Sequence, residues 1–193
     1  FHFGKQAPAT ERMGQLFSQI NESNPALIFL SEFSQVFTGK LCNRLKGEYK
    51  QFFINIGSNA CGIESSLAVV SKVPILSASF IPTAVEAAGD QKLAYRGYFI
   101  VETRDCRILY AHLHPKETDR ARDIRRGQLD EIKELTDQDG KPWVILGDLN
   151  IDHNKPEYDN LREFNDPIFE QKGKIATCSD GDSEESVDYI LTR

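Results

Sequence analysis

The stretch WVILGDLNID, residues 143–152, decides how the rest of the chain is interpreted. Its first four residues are an apolar run, which is typical of a strand covered on both faces. Gly147 ends that run and is followed by Asp148 and Asn150, two side chains that carry oxygen atoms. Because Gly, Asp and Asn are also common in turns, this stretch alone fits a turn and a functional site equally well.

Length and composition indicate one domain over residues 1–193, which are 40% hydrophobic and 27% charged. No apolar run approaches the roughly 18 residues of a membrane-spanning helix, so we expect a soluble protein. The chain begins at Phe1 without a methionine, which leaves secreted and cytoplasmic locations both open. A net charge of −6 lacks the basic footprint of most nucleic-acid binders, and the oligomeric state is left open.

Six short runs have the length and the β-branched or aromatic composition of strands. They are ALIFL (26–30), SLAVVS (66–71), GYFIVE (97–102), RILYAHL (107–113), WVILG (143–147) and VDYIL (187–191). Two segments, 10–22 and 118–136, have the apolar spacing of amphipathic helices. Each helix precedes a strand, and 66–113 has the pattern of consecutive strands. The sequence therefore predicts α/β or α+β layers with more strands than helices.

Polar side chains stand at the ends of four of these runs. Glu32 follows the first run, His112 ends the fourth, Asp148 and Asn150 follow the fifth, and Asp188 lies near the start of the last. In layered α/β proteins functional groups gather where strands end, because the core holds the backbone there. Carboxylates bind hard cations such as Mg²⁺, Asn orients water, and His donates to developing charge. Together these residue types fit a metal-assisted phosphoester hydrolase, although each alone is also typical of a cap or a core residue.

The four cysteines contain no Cys-x-x-Cys pair, which excludes the zinc-finger and thioredoxin interpretations. They fit small buried residues or free thiols. One disulfide in an oxidising compartment is left open, since the sequence does not identify a pair among Cys42, Cys61, Cys106 and Cys178.

At these residues the chain resembles the endonuclease/exonuclease/phosphatase superfamily of metal-dependent phosphoesterases. NPALIFLSEF is similar to the strand that ends in the family's metal-binding glutamate. SLAVVSKVPI is similar to its G-x-A-x-x-S-K-x-P-I segment, and YRGYFIVE with ILYAHLHP resembles the strands that lead to its T-H-L histidine. GDLNID resembles the family's strongest signature, and SVDYIL resembles its late I-D-Y-I strand. The five blocks occur in the family's order along nearly the whole chain.

The resemblance implies a four-layer sandwich of two packed mixed β-sheets flanked by helices. It implies that Glu32 binds Mg²⁺, with Mn²⁺ as an alternative, and that His112 donates a hydrogen bond to the phosphate. It casts Asp148 and Asn150 as the pair that orients the attacking water and the phosphate, with Asp188 as a supporting acid. The implied activity is metal-dependent hydrolysis of phosphodiester bonds.

Two departures from the family pattern stand at the ends of the chain. Members usually close with a strand bearing Ser-Asp-His, whereas this sequence stops at Arg193 and contains no such motif. We expect that the C-terminal strands are missing from this chain. The alternative is a catalytically impaired member that acts as a binding module. At the start, His2 occupies the approximate position where members often have an asparagine near the metal.

The superfamily includes nucleases, deadenylases, inositol-phosphate phosphatases and sphingomyelinases, so the fold leaves the substrate open. GDLNIDHNKPEYDNL and SEFSQVFTGKLCNRLKGEY are similar to bacterial sphingomyelinases, and His112 stands where abasic-site endonucleases usually carry tyrosine. The acidic net charge also suits a zwitterionic headgroup better than a long polyanion. We therefore favour a sphingomyelinase-like phospholipid headgroup phosphodiesterase, with a DNA or RNA nuclease as the alternative.

Two further segments bear on this choice. A lipid enzyme needs transient contact with a membrane surface, for which SFIPTAVEAAG (79–89) is a candidate, a packed hairpin being the alternative. The pattern H-L…R-x-x-Q-L, from His112 to Leu129, is shared by several branches that include nucleases. A solvated helix face is favoured over phosphate recognition for the arginine cluster of Arg120, Arg122, Arg125 and Arg126.

Overall fold

The structure is a computed structural model and describes residues 8–57, 65–86, 96–138, 140–179 and 184–193. In these ranges the α-helices are α1 (Ala9–Ser23), α2 (Thr38–Leu45), α3 (Asp119–Thr136) and α4 (Pro167–Lys172). Two 3₁₀ helices span Gln35–Phe37 and Pro156–Leu161. The strands are β1 (Leu27–Leu30), β2 (Gln51–Phe53), β3 (Ala68–Ser71), β4 (Ser77–Pro82), β5 (Gly97–Glu102), β6 (Arg107–His112), β7 (Trp143–Asp148), β8 (Cys178–Ser179), β9 (Glu184–Glu185) and β10 (Asp188–Thr192).

The strands form two main sheets and a short ribbon. The small sheet has the order β1-β3-β2, with antiparallel neighbours. The large sheet has the order β10-β7-β6-β5-β4, in which β6 and β7 are parallel and the other neighbours are antiparallel. β8 and β9 form the ribbon. Because β6 and β7 run in the same direction, their C-terminal residues meet at one edge of the large sheet.

The two sheets pack face to face through alternate side chains of their strands. Phe29 and Val69 come from the small sheet, and Phe99, Ile108 and Tyr110 come from the large sheet. The rings of Phe29 and Tyr110 meet edge to face, with their centroids 5.1 Å apart. Since successive strand residues point to opposite faces, the intervening side chains are left for the outer layers.

Helices cover the outer faces of both sheets. α1 and α2 cover the small sheet, where Ile20 and Leu41 pack with Val70 of β3. α3 covers the large sheet, where Leu129 and Ile132 pack against apolar residues of β6, β7 and β10. The order helix, sheet, sheet, helix confirms the predicted four-layer sandwich.

The elements predicted from sequence are present at nearly the predicted positions. The helices expected at 10–22 and 118–136 are α1 and α3, and the six expected strands are β1, β3, β5, β6, β7 and β10. α2 and β2 lie where no element was predicted, because eight and three residues are too short for a clear periodic pattern. No helix in the described part of the chain is both long and apolar enough to cross a membrane.

The segment 79–89, considered above for membrane contact, is described as far as residue 86. Its first residues belong to β4, which pairs with β5, and Phe80 packs against the core between the sheets. Thr83 then donates its hydroxyl to Glu131 of α3 at 2.6 Å. The described part of the segment therefore matches the packed-hairpin alternative.

Gly147 allows β6 and β7 to approach closely at the edge where they end. It lies opposite Ala111 in the parallel pair and has a φ of 137°, which side-chain-bearing residues rarely adopt. A Cβ atom built at Gly147 would lie 1.9 Å from the carbonyl oxygen of Ala111. Only glycine fits this position without moving one of the two strands.

We expect Gly147→Ala to lower the free energy of unfolding by about 3 kcal/mol or more, because the new methyl group overlaps backbone atoms and φ is unfavourable. Urea unfolding followed by the fluorescence of Trp143, the single tryptophan, measures this change. Gly14→Ala is the matched control, since nothing lies within 4 Å of its Cβ position in α1. The control should gain about 0.5–1 kcal/mol. Equal stabilities for the two variants would contradict the close approach of β6 and β7.

Candidate functional site

Three neighbouring strands of the large sheet bring polar side chains to one edge. β7 ends at Asp148, and the parallel strand β6 ends at His112, directly opposite in register. β10 begins at Asp188, which is the antiparallel register partner of Asp148. Two acids and a histidine predicted from separate segments are therefore adjacent across three strands.

Glu32 and Asn150 reach the same region from segments that leave strands. Glu32 lies two residues after β1 of the small sheet, and Asn150 lies two residues after β7. Both have left-handed backbone conformations, with φ of 53° and 54°. Non-glycine residues in this conformation are uncommon and cluster at functional sites, where the surrounding structure holds them.

The carboxylate of Asp148 contacts both Asn150 and His112. Its Oδ1 accepts a hydrogen bond from the backbone N–H of Asn150 at 3.0 Å, and its Oδ2 lies 3.8 Å from Nε2 of His112. The side-chain Nδ2 of Asn150 donates to the carbonyl of Leu113 at 3.1 Å. The backbone N–H of Leu113 donates in turn to the carbonyl of Asp148 at 3.0 Å. These contacts join the end of β6 to the signature loop after β7.

A cavity of about 680 Å³ opens beside these strand ends. Glu32, Asp148 and Asp188 line it, whereas His112 and Asn150 contact Asp148 without forming part of the described wall. The remaining wall is largely apolar and includes four exposed hydrophobic side chains, which are Ile168, Phe169, Ile175 and Ile190. The cavity thus joins a group of carboxylates to an extended apolar surface.

Burial of the carboxylate raises the pKa of Asp148 to about 7. The negative charges of Asp188 and Glu32 act in the same direction, while the hydrogen bond from the Asn150 backbone opposes them. A carboxyl group with a pKa near neutrality can exchange a proton under physiological conditions. Asp148 can therefore take part in acid–base chemistry.

Arg96, just before β5, is a site residue that sequence reasoning missed. Its Nη1 donates to the carbonyl of His112 at 2.9 Å. Burial lowers the pKa of Arg96, and the charges of Asp148 and Glu32 oppose that shift, which places the guanidinium near both acids. No sequence signal identified it, because a lone arginine before a strand is ordinarily exposed.

The donor set suits a hard divalent cation. In the described ranges no group of three or more His, Cys, Asp or Glu side chains is arranged to hold a metal ion. Mg²⁺, however, commonly uses one or two carboxylates and keeps several waters. Glu32, Asp148 and Asp188 face one cavity, and burial together with the charges of the other two acids raises the pKa of Asp148, which fits such a cation.

Among the other histidines, His153 also lines the cavity. His2 and Cys61 lie outside the described residues, and Cys42 and Cys106 are free thiols. His153 stacks on Phe169 with ring centroids 4.6 Å apart, and its Nε2 lies 3.5 Å from Oδ2 of Asp166.

The predicted solvated face for the arginine cluster was wrong for one of its members. Arg120, Arg122 and Arg126 are exposed, whereas Arg125 is fully buried and paired with Glu157. Its position could have been read from the helical spacing, because residue 125 lies four residues after Ala121 and three before Gln128, both buried.

Comparison with known proteins identifies the family of this chain. The model of the Endonuclease/Exonuclease/phosphatase family matches residues 3–193, so the chain belongs to that family. Members are hydrolases, mostly metal-dependent phosphoesterases. No curated protein sequence gave a significant match.

Three solved structures with the same fold illustrate the range of the family. Sphingomyelinase C from Streptomyces griseocarneus is 17% identical with a TM-score of 0.76, over 95% of this chain and 76% of that one. A double mutant of Staphylococcus aureus beta toxin with bound magnesium ions is 18% identical with a TM-score of 0.70, over 94% and 76%. D. rerio TDP2, complexed with a single-strand DNA product, is 18% identical with a TM-score of 0.71, over 98% and 79%.

We expect the free energy of unfolding of the metal-free protein to fall as pH rises from about 4 to about 7 through the ionisation of Asp148. Its pKa is about 7 in the folded protein, against an ordinary value of 3.8, so the folded state binds an extra proton in that interval. Asp148→Asn removes the titrating group. The fall in the free energy of unfolding over this pH interval should therefore be smaller in the variant by on the order of 2–4 kcal/mol.

Urea unfolding in EDTA, at about pH 5 and about pH 8, measures this difference between wild type and variant. Asp119→Asn, whose carboxylate is exposed, is the control and should keep the wild-type dependence. The same pH dependence in wild type and Asp148→Asn would show that Asp148 ionises normally.

Proposed function

We propose that the protein is a divalent-metal-dependent phosphodiesterase that hydrolyses its substrate by in-line attack of water. The observation that carries this proposal is that the buried carboxylate of Asp148 faces one cavity with Glu32 and Asp188. In the metal-free protein burial raises the pKa of Asp148 to about 7. A general base is most effective when its pKa lies near the working pH. Family membership supports the same reaction class.

In the proposed reaction Asp148 orients the attacking water and accepts its proton. The water oxygen then forms a bond to phosphorus as the opposite ester bond breaks and its electron pair leaves with the alcohol oxygen. Asn150 donates its backbone N–H to Oδ1 of Asp148, which limits rotation of the carboxylate. A fixed carboxylate removes an orientational cost from the reaction.

The remaining polar groups would bind and polarise the phosphate. Glu32, on the cavity wall, would hold Mg²⁺ or Mn²⁺, and Asp188 would support it. The cation, when bound, supplies positive charge to the phosphoryl oxygens. His112 would donate to a non-bridging oxygen, and Arg96, held on the carbonyl of His112, would add positive charge near the same acids.

We favour a phospholipid headgroup as the substrate, as in a sphingomyelinase. The cavity wall supports this choice because exposed apolar residues adjoin the carboxylates, including Phe169, Ile175 and Ile190. Such a wall suits an amphiphile that carries its phosphodiester next to acyl chains. The fold similarity to Streptomyces sphingomyelinase C is consistent with it.

A DNA or RNA nuclease is the second candidate. It is favoured by the exposed arginines in the first half of α3, which begins shortly after the end of β6. Arg120, Arg122 and Arg126 could contact a nucleic-acid backbone there. The fold similarity to the DNA-bound TDP2 is consistent with this alternative.

We expect wild-type protein with Mg²⁺ to hydrolyse sphingomyelin in a side-by-side assay with supercoiled plasmid and a phosphoinositide. Asp148→Asn should lower kcat/KM by roughly 10²–10⁴-fold, because the proton acceptor is lost. Asp119→Asn, an exposed aspartate on α3, is the matched control and should retain activity. Turnover of plasmid alone would overturn the lipid preference, and inactivity on every substrate would favour a binding module.

We expect Glu32→Gln to raise the Mg²⁺ concentration needed for half-maximal rate by roughly tenfold or more, because a charged oxygen ligand is replaced by a neutral one. Titration of EDTA-treated protein with MgCl₂ measures this. Glu117→Gln, a half-exposed glutamate paired with Lys155, is the control. An unchanged Mg²⁺ dependence in Glu32→Gln would remove Glu32 from the proposed metal site.

A further inference from the structure

Arg125 is the largest fully buried side chain in the described part of the protein. Its Nε and Nη2 donate to the two carboxylate oxygens of Glu157 at 2.9 and 2.7 Å. Its Nη1 donates to the carbonyls of His114 at 3.0 Å and Lys116 at 2.6 Å. Four hydrogen bonds thus occupy a side chain that has five N–H donors, and they join α3, the 3₁₀ helix at Pro156–Leu161 and the segment after β6.

Gln128, one turn further along α3, binds a backbone N–H of the same segment. Its Oε1 accepts a hydrogen bond from the backbone N–H of His114 at 3.0 Å, and Gln128 is itself buried. The N–H and the C=O of His114 are therefore both bound by α3 side chains. Lys116 follows with a φ of 93°, a strained bend whose carbonyl also binds Arg125.

The segment that Arg125 and Gln128 hold also contacts the end of β7 and the loop that follows it. Leu113 is adjacent to His114. Its carbonyl accepts a hydrogen bond from the side-chain Nδ2 of Asn150, and its N–H donates to the carbonyl of Asp148. The first hydrogen bond determines on which side the amide nitrogen of Asn150 lies, and therefore where its oxygen lies. A displacement of segment 113–116 would change the placement of both residues.

We propose that Arg125, Glu157 and Gln128 are positioning residues of the site, which hold segment 113–116 so that Leu113 orients the Asn150 amide and the end of β7. The proposal rests on the proposed function for its kinetic consequence. A buried ion pair is a weak source of stability, since apolar residues of similar volume often replace one without loss. The two carbonyl contacts of Arg125, which lie outside the ion pair, are what such a replacement would lose.

Two variants separate positioning from stability. Arg125→Lys keeps the buried charge, but an ammonium cannot reproduce the planar guanidinium contacts to Glu157 and to both carbonyls. The double variant Arg125→Met/Glu157→Met removes the buried charges together and fills similar volume, yet it also lacks the carbonyl contacts. Glu131→Gln is the matched control. Glu131 also lies on α3, but it accepts hydrogen bonds from Tyr98 of β5 and from Thr83 after β4, which lie outside segment 113–116.

Each variant is first tested for cooperative unfolding, and then kcat and KM are measured with Mg²⁺ on the substrate that wild type hydrolyses. We expect kcat to fall about 10- to 100-fold in Arg125→Lys and in the double Met variant, with KM changed less than about threefold, because binding groups on the cavity wall are unaltered. Glu131→Gln should retain wild-type kcat. If the double variant does not unfold cooperatively, Arg125→Lys alone decides the kinetic test.

The ¹⁵N side-chain amide signal of Asn150 gives a readout that is independent of activity. It is assigned by its loss in Asn150→Asp, and we expect its proton exchange to be about tenfold or more faster in Arg125→Lys than in wild type or Glu131→Gln. Wild-type kcat and an unchanged Asn150 signal in folded Arg125→Lys would overturn the positioning role. Inactive wild type with the expected NMR change would instead overturn the proposed function and leave the positioning of Asn150 intact.

Discussion

A carboxylate buried where two parallel strands end is the constraint on which the rest of the site depends. Ionising Asp148 there costs free energy, because the group has left water and faces the charges of Asp188 and Glu32. The backbone N–H of Asn150 offsets part of that cost through a direct hydrogen bond, and the guanidinium of Arg96 lies near enough to be influenced by the same charge. Binding of a proton or a cation would offset the rest of that cost, and either occupant changes the chemistry that the cavity can support.

The fold supplies the rigidity that this arrangement requires. Asp148 is flanked on both sides by strands in register, and the close approach at Gly147 keeps β6 and β7 in contact up to their last residues. The loops beyond them are held by specific contacts rather than by length or composition, as the bonds between Leu113 and Asn150 illustrate. The left-handed backbone at Glu32 depends on this surrounding structure, because glutamate lacks the local preference for that conformation that asparagine has at position 150.

Sequence patterns predicted the elements with sustained periodicity and the polar residues that directly follow them. Asp148 and Asp188 were brought together as expected, because strand ends in a layered fold converge on an edge. Arg96 was missed because its partners are distant in sequence and a single arginine carries no periodic signal. Arg125 was misassigned because the charged neighbours on α3 suggested a solvated face, although its spacing places it on the buried one. Short elements such as α2 and β2 depend on tertiary packing, which local sequence does not encode.

The site is built from both sheets, with Glu32 following a strand of the small sheet and Asp148 ending a strand of the large one. The two layers meet through apolar contacts such as that of Phe29 with Tyr110, which resist separation but have little directional preference for sliding. A shear of one layer over the other by about an ångström would therefore move Glu32 relative to Asp148 and Asp188, while the backbone hydrogen bonds within each sheet remain. The distance between Glu32 and Asp148 is therefore the part of the site that depends most on how the two layers are aligned.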